Sequence, residues 1–115
     1  MPPGEFDDWL ADQRQPAVEP LESEAVRGLG VFSSSGCGAC HSVRGTPADG
    51  VIGPDLTHVG SRVSLAAGVL PNDPEQFRRW IAHTASVKPG VHMPDFDMLP
   101  DEDLNALAAY LEHLQ

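Results

Sequence analysis

Apolar residues recur at helical spacing in three stretches of this chain, and no segment alternates with the period of two that predicts a strand. From about Leu21 to Ser34, Ala25, Leu29 and Phe32 share a face, and Ser33-Ser34-Ser35-Gly36 ends the run. Asn72-Asp73-Pro74 is a second helix start, with a capping side chain, a proline for the first turn and then Glu75. Phe77, Trp80, Ile81 and Thr84 lie on one face of that helix, and Pro89-Gly90 stops it. The last helix is predicted from Pro100 or Asp101 to Leu114. Leu104, Leu107, Ala108, Leu111 and Leu114 form its apolar stripe, and Asp101, Glu102 and Asp103 sit where the helix dipole favours negative charge. A further helical turn is expected around Ser64–Ala67. The pattern is all-α, about four short helices joined by long loops; residues 36–64 in particular are rich in Gly, Pro, Ser and Thr. Loops of that length count against a compact domain unless they wrap something.

Residues 1–20 carry Pro3, Pro16 and Pro20, many acids and little periodicity, and read as a linker-like arm with at most one helical turn around Asp8–Gln13. The expected organisation is therefore an arm over 1–20 and one domain over 21–115, a length that suits a single domain with a modest core. No apolar stretch approaches the ~20 residues of a membrane span. The start, Met1-Pro2-Pro3-Gly4-Glu5, lacks the basic and apolar regions of a signal peptide, so the chain reads as an excised piece or a mature form.

Charge changes the picture of partners. There are 17 acidic and 7 basic residues, for a net charge of −10. More than half of it lies in the first 24 residues, where Glu5, Asp7, Asp8, Asp12, Glu19, Glu22 and Glu24 face only Arg14. Such a surface excludes nucleic acid as a partner class.

The chemistry is concentrated in Cys37-Gly38-Ala39-Cys40-His41. Two thiols three positions apart can each add to one vinyl group of the same haem edge, which leaves the next residue, His41, placed to bind the iron axially. This pentapeptide is the signature of c-type haem attachment. A thioredoxin-like redox pair would need a βαβ context, a zinc site two more ligands at finger-like spacing, and a simple disulfide remains formally open. A second axial ligand could come from Met93, Met98, His58, His83 or His92. Met93 is favoured: it lies in Lys88-Pro89-Gly90-Val91-His92-Met93-Pro94, held between prolines, and a thioether suits haem iron and raises its potential. Met98 reads as a core plug, His83 and His92 as surface residues, His113 as a favourable charge near a helix C-terminus, and His58 as a structural hydrogen-bonding group.

On these residues the chain resembles a class I cytochrome c over roughly residues 21–115. Gly28 and Phe32, with Leu107 and Tyr110, fall where that family crosses its first and last helices, and Gly53-Pro54-Asp55-Leu56 follows the attachment motif at the family's distance. A narrower set is similar to the cytochrome c domain of subunit II of caa-type haem–copper oxidases: Gln13, Pro16-Ala17, Gly45-Thr46-Pro47-Ala48, Arg62, Asn72, Trp80-Ile81 and Lys88-Pro89-Gly90. Phe6 and Trp9 would then close a preceding copper domain. Pro100 departs from the Ser or Thr cap frequent in such domains.

The resemblance implies the class I fold and one covalent haem c (heme c), with the Pro54 carbonyl accepting from His41 and with Arg62 and Trp80 on a haem propionate. Ile52, Leu56, Leu65, Leu70, Phe77 and Ile81 would wall the haem. It further implies single-electron relay from a respiratory donor to the dinuclear copper centre of a terminal oxidase, at the periplasmic face of the membrane, by a domain that is not itself an enzyme. A free periplasmic shuttle cytochrome, a haem domain of another respiratory enzyme, and a haem enzyme or sensor with a displaceable ligand are the alternatives.

Overall fold

The computed structural model describes residues 3–61, 64–65, 70–87 and 93–115. The expected arm is not irregular: Pro3–Arg14 form a helix, α1, although none of its residues is buried. Proline at the start and Glu5 in the first turn suit a helix N-terminus, and Arg14 closes the last turn, so local signals outweigh the missing apolar stripe. The second helix, α2, spans Ser23–Ser34 and buries Ala25, Gly28, Val31 and Phe32. Short 3-10 turns follow at Cys37–Ala39 and Val59–Ser61.

The turn expected at Ser64–Ala67 is corrected at its described residues. Ser64–Leu65 (β1) pair antiparallel with Leu70–Pro71 (β2), with Leu65 opposite Leu70. Two-residue strands carry no readable period, so the sequence pattern does not mark them.

Helix α3, Pro74–Ala82, starts as the pattern predicts: the Asp73 side chain accepts from the Gln76 N–H at 2.9 Å and Pro74 occupies the first turn. It ends earlier than predicted. His83 leaves helical geometry, and a separate four-residue helix, α4, spans Thr84–Val87. The reason is tertiary. The Ile81 carbonyl accepts the N–H of Phe96, and Thr84 Oγ1 donates back to the Trp80 carbonyl at 2.7 Å, so the ladder is interrupted at His83.

The last helix, α5, covers Asp101–His113, and every residue of its predicted stripe is buried. Pro100 precedes it with no side-chain cap. Its acidic first turn is instead met by arginines from two other helices. Arg27 donates to Glu102 (3.3 Å) and Asp103 (2.9 Å), and Arg78 to Asp101 (2.8 Å).

Helices α2 and α5 cross at Gly28. A Cβ there would collide with the Ala106 carbonyl and lie 2.7 Å from Tyr110 Cβ, so only glycine permits this approach. Beside the crossing the Phe32 and Tyr110 rings meet edge to face, 5.7 Å apart. Leu107, Leu111 and Leu114 then pack with Val43, Val59, Phe77 and Ile81 into one core. Met98 is not part of it: 70% exposed, it is not the core plug that the sequence indicates, because the turn at 97–98 points it outward while Phe96 and Leu99 pack inward.

Candidate haem-binding site

The Cys37–His41 motif begins as α2 ends. Ser35 terminates the helix, and Gly36 adopts the left-handed conformation (φ 81°) that turns the chain into the 3-10 turn of Cys37–Ala39. Main-chain bonds from the Cys40 and His41 N–H groups to the Cys37 carbonyl (3.2 and 2.9 Å) wind the motif so that the two cysteines and His41 project from a single turn. Both thiols are free and half-buried, and burial pushes the Cys37 thiol above its ordinary pKa. Its neutral form is therefore favoured, which does not fit an activated redox pair.

His41 is held from its far side. Its Nδ1–H donates to the Pro54 carbonyl at 2.8 Å, which sets the tautomer and leaves Nε2 with its lone pair outward, the state an iron ligand requires. The loop that brings Pro54 there is pinned twice: Gly53 N–H donates to the Cys40 carbonyl (2.7 Å) and Leu56 N–H to that of Ser42 (2.8 Å). Next in sequence, Asp55 accepts from the Thr57 backbone (2.8 Å) and hydroxyl and from Arg44 Nε (3.2 Å). Burial acts to raise the Asp55 carboxyl, but the Thr57 bonds and the Arg44 charge together outweigh it and hold it below its ordinary value.

Glycine at 53 answers to space rather than to backbone angle. A Cβ there would press on the imidazole of His41, 2.7 Å from Nδ1 and 2.9 Å from Nε2. Gly50 is similarly close to the backbone of Cys40. The motif and the 50–54 loop thus form a cradle that side chains larger than hydrogen would fill.

Trp80 is half-buried, and its indole Nε1–H is buried with no hydrogen-bond partner among the described residues. A buried unpaired donor costs about 1–3 kcal/mol, so this one is suited to an acceptor outside the chain, such as a propionate. Met93 is half-buried and packs against the core cluster alongside Trp80 and Phe96. Arg62 and His92 lie outside the described residues. Of the expected wall, Phe77 and Ile81 are buried and Leu56 is half-buried, whereas Ile52 is 78% exposed; it sits beside Val51 on the outer side of the Gly50–Gly53 turn. No side-chain position is described for Leu65 or Leu70. A donor set of two thiols, an imidazole and a thioether, with an unpaired indole donor, fits haem c.

Other histidines resolve simply. His83 is exposed. His58 is buried, with Nδ1 2.9 Å from the main-chain oxygen of Gln115 and Nε2 2.8 Å from the Gln15 carbonyl. Among the described residues no group of three or more His, Cys, Asp or Glu side chains is placed to hold a metal ion, so the zinc alternative finds no ligand set there.

The family model described as cytochrome c matches residues 25–115. The chain belongs to the cytochrome c family. Its class I fold and its character as a haem c electron-transport domain follow from that membership. The cytochrome c oxidase subunit 2 of Alkalihalophilus pseudofirmus is 37% identical over 111 residues, covering 96% of this chain and 32% of that protein. The proteins of the same name from Bacillus sp. strain PS3 and Bacillus subtilis strain 168 are 32% and 29% identical, over 100% and 96% of this chain. This cytochrome domain thus spans about a third of the length of the curated relatives it matches. Among the described residues no helix is long and apolar enough to cross a membrane.

Proposed function

We propose that the chain carries one haem c, bound by thioethers from Cys37 and Cys40 and ligated by His41 and Met93, and relays single electrons from a respiratory donor to the dinuclear copper centre of a terminal oxidase. The bound haem supplies a one-electron couple, ferric to ferrous. The remaining work falls to the polypeptide. Pro54 orients His41 and keeps its proton on Nδ1, away from the iron-facing nitrogen. Trp80, and Arg62 with it, would donate to a propionate. Met93 and the buried Phe77 and Ile81 exclude water, which keeps the site apolar. With His41 and Met93 both holding the iron, no site would be left for oxygen, and the domain would carry electrons without itself catalysing.

The observation that carries this reading is the His41–Pro54 hydrogen bond, made 13 residues apart directly after a Cys-x-x-Cys pair. The relatives' printed name, cytochrome c oxidase subunit 2, supports placement in an oxidase complex; in this reading the domain would work at the periplasmic face, with the copper domain and other subunits as partners. Residues 1–20 would join the domain to the copper domain, with 21–115 as the haem-bearing unit. That placement, and not a free shuttle, is favoured by the match to subunit 2 running through the arm: it spans 96–100% of this chain.

The decisive variant is Met93→Ala. It should retain covalent haem, lose the weak long-wavelength band of Met-ligated ferric haem, bind carbon monoxide rapidly when reduced, and lower the potential by on the order of 100 mV or more. An unchanged potential and spectrum would exclude Met93 as the ligand. Rapid carbon monoxide binding by the unaltered protein would instead favour a sensor or enzyme.

A further inference from the structure

The arm reads from sequence as a linker, yet its backbone is gripped by side chains remote in the chain. Arg44 is the centre of this grip. Its Nη1 donates to the Arg14 carbonyl (3.0 Å) and its Nη2 to the Gln13 carbonyl (2.5 Å), while Nε reaches Asp55 (3.2 Å). The Arg44 carbonyl accepts the Ala17 N–H at 2.7 Å, and its own N–H donates to Thr57 Oγ1 at 2.9 Å. Farther along, His58 Nε2 meets the Gln15 carbonyl (2.8 Å) and His113 Nε2 the Val18 carbonyl (2.7 Å). Gly45, at φ 98°, leaves room for the arm: a Cβ there would sit 3.1 Å from Pro16 and 3.3 Å from the Ala17 carbonyl.

Four carbonyls within six residues thus go to three side chains of the body. A solvated linker would give them to water, and nothing would draw Arg44, His58 and His113 onto it. The two carbonyls that Arg44 takes belong to the last turn of α1, where such groups have no helical partner and a cation is favoured. A planar fork is needed to serve both carbonyls and the Asp55 carboxylate at once, which lysine could not do.

We propose that residues 13–18 are a docked bracket, seated on a surface formed by Arg44, Gly45, His58 and His113, that fixes the orientation of α1 relative to the haem-attachment loop. Helix α1 has no fully buried residue of its own, so among the described residues the bracket is its main anchor to the body. It presents Phe6 and Trp9 as an exposed stacked pair, ring centroids 6.0 Å apart. The functional consequence rests on the haem reading: electron relay across this arm would run at a set geometry and not by diffusion of a tethered domain.

Trypsin tests the bracket directly, because its cleavage site after Arg14 uses the carbonyl that Arg44 holds. The haem-loaded chain, Arg44→Gln and His113→Gln are digested, and the fragment beginning at Gln15 is followed by mass spectrometry. A free peptide of residues 9–20 serves as the unbracketed reference. Cleavage in the unaltered chain should be at least tenfold slower than in the peptide. Arg44→Gln should speed it about tenfold and His113→Gln less, since cleavage tracks the open population. His113→Gln, remote from the haem-attachment loop, should keep the haem spectrum, which shows the body intact. Trp9 emission, quenched by haem, should give one dominant lifetime in the unaltered chain and a spread in Arg44→Gln. Peptide-like cleavage of the unaltered chain overturns the bracket, even if Arg44→Gln were not to fold. Failure of the haem reading is a separate outcome, a chain without haem absorbance, and leaves the cleavage measurement meaningful.

Discussion

Around His41 the polypeptide leaves no room for a side chain at Gly53, because the imidazole itself occupies the space. Gly53→Ala should therefore displace the ring and weaken the Pro54 hydrogen bond while the backbone angles remain allowed. The expected outcome is a shifted reduction potential and altered paramagnetic NMR shifts of the axial histidine in the haem-loaded protein; identical values would show that the ring has slack. Asp55 stiffens the same loop through charge. Its carboxyl lies below its ordinary pKa in the fold, so its stabilising contribution is fully present above the unfolded value of about 3.9 and is lost as pH falls through the lower, folded value. Denaturant midpoints measured across that acidic range should fall with pH, and Asp55→Asn should reduce the slope there; an unaltered slope would place the acid sensitivity elsewhere.

Among the helices, α2 offers a comparison within one element. Gly28 and Gly30 are two residues apart, and the same substitution should act with opposite sign. Gly28→Ala drives a methyl into the Ala106 carbonyl and should destabilise by about 1–3 kcal/mol or more through forced separation of α2 from α5. Gly30 has nothing within reach of an added Cβ, so Gly30→Ala should stabilise by roughly 0.5–1 kcal/mol by relieving the helix of glycine entropy. Thermal unfolding of the two variants decides it; equal effects would mean that the crossing is loose. The divided helix at 74–87 teaches a related point. The apolar pattern predicts continuous helix there, but the Ile81 carbonyl is taken by Phe96 from the following loop, and a bond supplied by a distant residue has no local sequence signal.

As a whole, the molecule is an acidic body with a net charge of −10 and an exposed acidic arm. Encounter with a basic redox partner should be steered by that field, so the bimolecular rate should fall steeply as ionic strength rises. Stopped-flow electron transfer over a salt series measures it, and a flat dependence would indicate an apolar docking patch instead.

Local chemistry decided much of this protein from sequence alone. The attachment motif, the Asp73-Pro74 helix start, the stripe of α5 and the acidic first turn that draws Arg27 and Arg78 are each encoded within a few residues, where spacing and capping act directly. The resemblance likewise implied that Pro54 would face His41. Tertiary structure decided what depends on residues far apart meeting. It put Met98 outside the core, broke α3 from α4, showed that Gly53 is needed for clearance, and turned a linker-like arm into a helix whose end is gripped by Arg44. The helix break and the gripped arm come from bonds between residues far apart in the chain, made to the backbone carbonyls of Ile81, Gln13, Arg14 and Val18; every residue carries such a carbonyl, and no side-chain pattern marks them in advance.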